Sequence, residues 1–414
     1  MGEGGVKPAP KLRRSLGLVL LSLYGLGTII GAGVYVLVGE VAGLAGYHAP
    51  WAFLLSSVMV AFTALSFAEL SSRFPRSAGQ AVYVHEGLGG RLLPMAVGFM
   101  VVSVGLVSSA AITNGFIGYL GELVSVPRGV AIGGVVVAMM ALAIWGIAES
   151  VTIASIATVI EIGGILIVIG GGSGSLAGLP DRLPDLLPTL DAGALAGIGS
   201  AALLAFFAFI GFEDMVNVAE EVRRPQKTLP RAIVLALTVT VFLYVGLSLI
   251  AVLTVPIDEL SKSQAPLALV FERGTGLSPV FIIFVAMIAV LNGALIQIIM
   301  ASRVVYGMAR QRWLPSLFAQ INAKTQTPVV ATVAVAVLVL GLSLWLPLVT
   351  LAKITSLFTL TIHVLVNLSL VRLKWRDVSP PTNGMRLPIW VPACGFLISL
   401  CGSLALAAEF MGLR

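Results

Sequence analysis

The sequence predicts an all-α integral membrane protein, and three observations carry that prediction. Hydrophobic residues make up 58% of the 414 and charged residues only 11%, more apolar surface than a soluble chain of this length can bury. The apolar residues fall in runs of about 20, the length a helix needs to cross a hydrocarbon core. The basic residues are shared unequally between the two sets of connecting segments, as membrane topology demands.

Eleven such runs follow one another, near 16–42, 51–71, 92–120, 130–148, 152–172, 195–217, 230–255, 278–308, 328–346, 348–371 and 388–410. With a cytoplasmic N-terminus, Arg128, Arg182, Lys262, Arg273, Lys353 and Arg414 face outward, which leaves 19 of the 25 Lys and Arg residues inside. The formal charge of +6 is therefore a topology signal and not a nucleic-acid footprint. The polar, basic start leads into the first run without a signal-peptide cleavage site. Cys394 and Cys401 sit in one apolar run and suggest neither a disulfide framework nor a metal site.

The first run contains GTIIGAGVYV, residues 27–36, with Gly27, Gly31 and Gly33 inside seven positions. Glycines loosen a membrane helix, and lipid tolerates freed N–H and C=O groups only where protein or a water-filled cavity covers them. Unwinding near Ile29 to Gly33 would present amide donors suited to a carboxylate and carbonyls suited to an ammonium, both of which an amino acid carries on one carbon. The Gly27-x-x-x-Gly31 spacing equally suits a helix-packing face. A second interruption lies in the sixth run, AFFAFIGFEDMVNVAEEVRRPQKTLPRAI, where Gly211 is followed at once by Glu213 and Asp214. Carboxylates in an apolar run are costly and mark a cavity or a partner. Breaks in spans one and six divide the chain into five-span halves, and an odd number of spans per half makes any repeat inverted.

These residues carry a family resemblance. The first span resembles the Gly-(Ser/Ala/Thr)-x-Ile-Gly-x-Gly signature of amino acid–polyamine–organocation superfamily transporters. Phe206 through Glu220-Glu221-Val222-Arg223-Arg224-Pro225-Gln226-Lys227 to Pro230-Arg231-Ala232-Ile233 is similar to that family's sixth span and following loop. SFAELSSRFPRSAGQAVYVHEGLGG, 66–90, and ASRVVYGMARQRWLP, 301–315, are similar to two further blocks. The branch it most resembles is the bacterial cationic amino acid transporter-like permeases.

The resemblance implies a leucine-transporter-type fold with a 5+5 inverted repeat. It implies a cytoplasmic tail 1–15, a first repeat 16–172, an extracellular loop 173–194, a second repeat 195–371, a cytoplasmic loop 372–387 and an additional span 388–414. The Pro-rich loop GSLAGLPDRLPDLLPTLD, 174–191, reads as extended. Most relatives have twelve spans, so a chain ending after the eleventh departs from the pattern and leaves the oligomeric state open.

Carried over position by position, the substrate-binding set is Ile29, Ile30, Gly31, Ala32 and Gly33 with Phe206, Phe207, Ala208, Ile210 and Gly211. The amides of Gly31, Ala32 and Gly33 would take the carboxylate. The carbonyls of Ile29 and those near Phe207 and Ile210 would take the ammonium, with Phe207 as an aromatic gate. Glu213 falls on the family's acidic position after the break, in a structural or gating role. Where the family often has a Lys, twelve positions after the Glu of the Glu149-Ser150 pair, this chain has Glu161. That carboxylate could titrate, coordinate a cation or hydrogen-bond unwound backbone. Asn292 and His363 read as partners in interhelical hydrogen bonds.

The expected function is a secondary active transporter that moves L-amino acids across the cytoplasmic membrane by alternating access, coupled to protons or by exchange. The expected partners are the small-molecule substrate, protons and membrane lipid. A polyamine or organocation carrier and a non-transporting amino acid sensor are the alternatives. Enzyme chemistry has no support in the motifs, with neither His-Glu-x-x-His nor Gly-x-Ser-x-Gly present, and no cofactor or metal is implied.

Overall fold

Helix follows helix along the chain because hydrocarbon leaves each backbone N–H and C=O to be satisfied within its own segment. The computed structural model describes residues 16–412 except 32, 77–78, 146–149, 189–190, 311, 323–324, 326 and 377–383, and for 150–154 the backbone alone. The tail 1–15, Ala32 and Glu149 thus lie outside the described residues.

The first apolar run is two helices, α1 (Leu18–Ile30) and α2 (Gly33–Ala45). Then come α3 (Ala49–Arg73), the short α4 (Gly79–Leu88), α5 (Leu92–Gly121), α6 (Arg128–Trp145) and α7 (Ser150–Gly172). The connection to the sixth run is not extended. A 3₁₀ turn, Ser173–Gly178, leads into α8 (Leu179–Leu186), which has Pro180 in its first turn, a position where proline's missing N–H costs nothing. Trp51 Nε1 donates to the Leu186 carbonyl at 2.8 Å and a ring nitrogen of His48 lies 3.2 Å from the Leu187 carbonyl, so side chains at and just before the start of α3 satisfy the end of α8.

The sixth run is α9 (Ala192–Ala205) followed by two 3₁₀ segments, Phe206–Phe209 and Phe212–Glu221. The rest is α10 (Pro225–Thr254), short α11 (Ile257–Leu260) and α12 (Pro266–Thr275), α13 (Val280–Arg310), α14 (Val329–Trp345), α15 (Leu348–Trp375) and α16 (Trp390–Phe410). Nine helical segments among the described residues are long and apolar enough to cross a membrane, with α1 and α14 as shorter apolar helices.

Both interrupted runs lie inside the bundle. α1 packs on α7 and α10, and α2 packs on α9. Around them α3 packs on α10, α5 on α13, α6 on α14 and α15 on α5, while α16 covers α15 and α3. The outer faces remain apolar, with Val19, Phe242, Phe281 and Leu404 exposed. Trp145, Trp345, Trp375 and Trp390 are exposed at helix ends, where the amphipathic indole suits a headgroup boundary. Apolar outer faces with tryptophans at their rims make this a multi-pass membrane protein.

Candidate functional site

The two interruptions pack directly on each other. In the first, α1 stays helical through Ile29 and Ile30, so the break is narrower than the glycine spacing predicts. Gly31 keeps right-handed helical geometry and its N–H donates to the Gly27 carbonyl at 3.1 Å, which corrects the expectation of a free amide there. Gly33 opens α2, whose first-turn N–H groups have no acceptor within their own helix. A Cβ on Gly33 would overlap the Cα of Ala208, so only glycine lets the two breaks touch.

The second break turns on Gly211, whose φ of 127° belongs to a region open to glycine alone. A Cβ there would collide with the Thr28 carbonyl. Thr28 Oγ1 lies 3.0 Å from the Gly211 carbonyl and 2.9 Å from that of Gly25, stitching α1 to the second break. Glu213 Oε2 accepts the Gly211 N–H at 3.0 Å and so caps the segment that follows. Tyr244 of α10 lies against both breaks at once, its hydroxyl 3.0 Å from the Ile29 carbonyl and 2.9 Å from that of Ala208. At one end of this pair the backbone of Leu16 joins that of Glu221 and Arg223 in a short parallel bridge.

Phe206, Phe207, Ala208 and Ile210 are all buried. The Phe206 ring stands edge-on to His363 at 5.8 Å, and His363 also contacts Phe67 and Phe212. Neither ring nitrogen of His363 has a hydrogen-bond partner among the described residues. The expectation of an interhelical hydrogen bond at His363 is therefore corrected: three aromatic rings surround the imidazole. Asn292 meets its expectation, donating from Nδ2 to Glu161 Oε1 at 3.1 Å.

Glu161 is completely buried on α7, and its Oε2 has no partner among the described residues. Its backbone carbonyl accepts the Tyr35 hydroxyl at 2.6 Å, and the Tyr35 carbonyl accepts the Tyr119 hydroxyl at 2.6 Å. Tyr35 is in the first turn of α2, so the Glu161 backbone is linked to the first break through one side chain. Sequence reasoning did not single out Tyr35, Tyr119 or Tyr244. A phenol within an apolar run was the available signal, since its O–H needs a partner wherever it is buried.

Beside the breaks lies a narrow cavity lined by Ile210, Glu213, Asp214, Gln80, Gln297 and His363, among others. Gln297 Nε2 donates to Asp214 Oδ2 at 3.1 Å. Gln80 Oε1 and the Thr359 hydroxyl, also on its wall, lack partners among the described residues. Of the expected site residues, Ile210 and Glu213 reach this cavity, while Ile29, Gly33 and Ala208 form the seam between the breaks. Ala32 is outside the described residues.

The chain matches the model of the amino acid permease family over residues 16–411. It belongs to that family. As a permease it is a membrane transporter of the amino acid–polyamine–organocation superfamily. Among its relatives is the branched-chain amino acid permease BcaP of Bacillus subtilis (strain 168), 29% identical over 392 residues, covering 89% of this chain and 83% of that protein. The vacuolar cationic amino acid transporter 4 of Arabidopsis thaliana is 31% identical over 387 residues, covering 88% of this permease and 64% of the plant protein. The methylthioribose transporter of Bacillus subtilis (strain 168) is 27% identical over 385 residues, covering 88% and 82%. This permease thus spans most of each bacterial relative and under two thirds of the plant one.

Proposed function

We propose that this permease is a secondary active transporter that carries L-amino acids across the cytoplasmic membrane by alternating access, with its N-terminus cytoplasmic. The observation that carries the reading is the meeting of two helix breaks in the bundle centre. Backbone N–H groups at the start of α2 and carbonyls of Ile29, Phe207 and Ala208 there offer one seat for a carboxylate and one for an ammonium. The substrate set is then Ile29, Ile30, Gly31, Ala32 and Gly33 with Phe206, Phe207, Ala208, Ile210 and Gly211. Gly31 contributes as an amide only if its bond to Gly27 opens. The names of the relatives, two of them amino acid carriers, support the substrate class.

The helix packing supports a leucine-transporter-type 5+5 inverted repeat. Counting α1–α2 as one span and the 17-residue α14 as another gives eleven spans. Spans two and seven, three and eight, and four and nine then pair as α3 with α10, α5 with α13 and α6 with α14. Contacts between spans five and eight recur between ten and three, as α7 with α13 and α15 with α5. A two-fold relation between 16–172 and 195–371 produces this pattern. The loop 173–194, the segment 372–387 and the span 388–414 stand outside it.

Coupling is assigned to protons at Glu161. The carboxylate is buried on a residue whose backbone carbonyl accepts the hydroxyl of Tyr35, at the first break, and a proton gained there can alter which gate arrangement is favoured. The carboxylates of Glu213 and Asp214 in the adjacent cavity favour a second reading, in which the preferred substrate has a cationic side chain.

Counterflow of labelled amino acids into proteoliposomes tests the function, after a thermal-shift screen of the twenty amino acids chooses the substrate. Exchange is expected, with esterification of the substrate carboxylate weakening competition about tenfold, the loss of one charge-assisted hydrogen bond. Equal competition by putrescine would move the assignment to polyamines. Saturable binding without counterflow would make the protein a sensor.

A further inference from the structure

α10 has 30 residues. At 1.5 Å per residue it is about 45 Å long, whereas a hydrocarbon core is about 30 Å thick. One end must therefore stand among lipid headgroups. Its first turns, Pro225-Gln226-Lys227-Thr228-Leu229-Pro230-Arg231, are polar and basic, and the apolar run begins at Ala232. Lys227 and Arg231 are four residues apart and share one helix face. Both are exposed, and neither forms an ion pair with a described residue. The same side of the helix continues into exposed Val234 and Leu235, with Phe242 exposed two turns further on. Charge thus gives way to apolar surface along one helix.

This face is one wall of a groove of about 530 Å³ whose other wall is Gly384 and Met385. That second wall is firmly held. The Met385 N–H donates to Ser72 Oγ at 3.2 Å, and the Leu387 N–H donates to Glu69 Oε2 at 2.9 Å. Lys374 Nζ donates both to the Leu387 carbonyl and to the Glu69 carboxylate. The described lining has two cations and no acid.

We infer that this groove is a binding site for an anionic glycerophospholipid. The phosphodiester lies between Lys227 and Arg231, and an acyl chain follows Val234 and Leu235 toward Phe242. Basic pockets at the headgroup level recognise anionic lipids in this way. A zwitterionic headgroup is disfavoured, because among the described lining residues its ammonium meets two cations and no carboxylate. The apolar continuation of the groove selects a lipid over free phosphate.

The test reconstitutes the full chain in an equimolar mixture of phosphatidylglycerol and phosphatidylcholine with identical acyl chains. Retained lipid is then measured by native mass spectrometry after delipidation. The wild type is expected to retain phosphatidylglycerol over phosphatidylcholine by about tenfold, on the order of what two surface cations supply. K227Q/R231Q should lose the preference, K227R/R231K should keep it, and R182Q/K262Q, which changes exposed basic residues outside the groove, should leave it intact. Matched melting temperatures show that the variants fold. A K227Q/R231Q protein with the wild-type preference overturns the assignment, as does a wild type without preference. Displacement of the lipid by glycerol phosphate at equal concentration would make the site a phosphate site and also overturn it.

Discussion

Glu69 and Glu161 are both completely buried carboxylates on apolar helices, and their surroundings are opposite. Glu69, at the end of α3, accepts from the guanidinium of Arg73, from Lys374 at 2.7 and 2.8 Å and from the Leu387 N–H at 2.9 Å. Glu161, inside α7, has one amide donor at 3.1 Å and no cation among the described residues. The contrast separates two uses of a buried acid. At Glu69 the charge holds α3, α15 and the segment before α16 together, so removing it takes one buried carboxylate from both Arg73 and Lys374. At Glu161 little of the local packing depends on the charge, so a proton can arrive or leave without dismantling the helices around it.

The largest effect is expected from Glu69→Ala. Breaking a buried ion pair from one side costs about 3–5 kcal/mol, because the remaining charges stay desolvated. The melting temperature and yield of the solubilised protein should fall sharply, with Glu69→Gln intermediate. Wild-type melting in Glu69→Ala would mean that the cluster is solvated and carries no structural weight, and the contrast would collapse.

Glu161→Gln should do the reverse. The amide fills the same volume and still meets Asn292, so melting is expected to change by less than about 1 kcal/mol. Uptake driven by a pH gradient should fall by at least about tenfold while exchange of internal for external substrate survives. Transport by the wild type should depend on pH, and the variant should be flat over the same range. Proton-driven accumulation with an unchanged profile would make Glu161 a structural partner of Asn292, and Glu213 the next candidate.

One side of this contrast was legible in the sequence, and the illegible side has a physical cause. Glu161 stood out because a mid-span carboxylate is rare, and the runs of about 20 apolar residues located each long helix to within a few positions, though not the short α4, α8, α11 and α12. Gly27, Gly31, Gly33 and Gly211 marked both breaks. What they could not fix was the width of the first one, since Gly31 retains a helical bond that its flexibility does not require. Glu69 passed unremarked because, Arg73 apart, its partners are remote in the chain: Lys374 is 305 residues away and Leu387 318. Tyr244 was missed for the same reason, its acceptors Ile29 and Ala208 being 215 and 36 residues distant. His363 misled in the other direction. Its polarity suggested a hydrogen bond, whereas the ring packs among Phe67, Phe206 and Phe212.

The smallest effect sharpens the comparison most. The Tyr244 hydroxyl has one proton and two carbonyls within reach, Ile29 at 3.0 Å and Ala208 at 2.9 Å, so it is shared between the breaks. Tyr244→Phe keeps the ring, with its edge-on contacts to Phe53 at 5.8 Å and Phe209 at 5.0 Å, and removes only that proton. A neutral hydrogen bond contributes about 1 kcal/mol net, so apparent substrate affinity should weaken roughly fivefold. The pH profile should stay that of the wild type, because the Tyr244 hydroxyl bonds the carbonyls of Ile29 and Ala208 while the Glu161 carboxylate is met by Asn292. A flattened profile in Tyr244→Phe would mean that the proton is sensed at the seam itself. Tighter binding would mean that the hydroxyl competes with the substrate ammonium for the Ile29 carbonyl, and its role would change from holding the two breaks together to keeping the seat closed until substrate arrives.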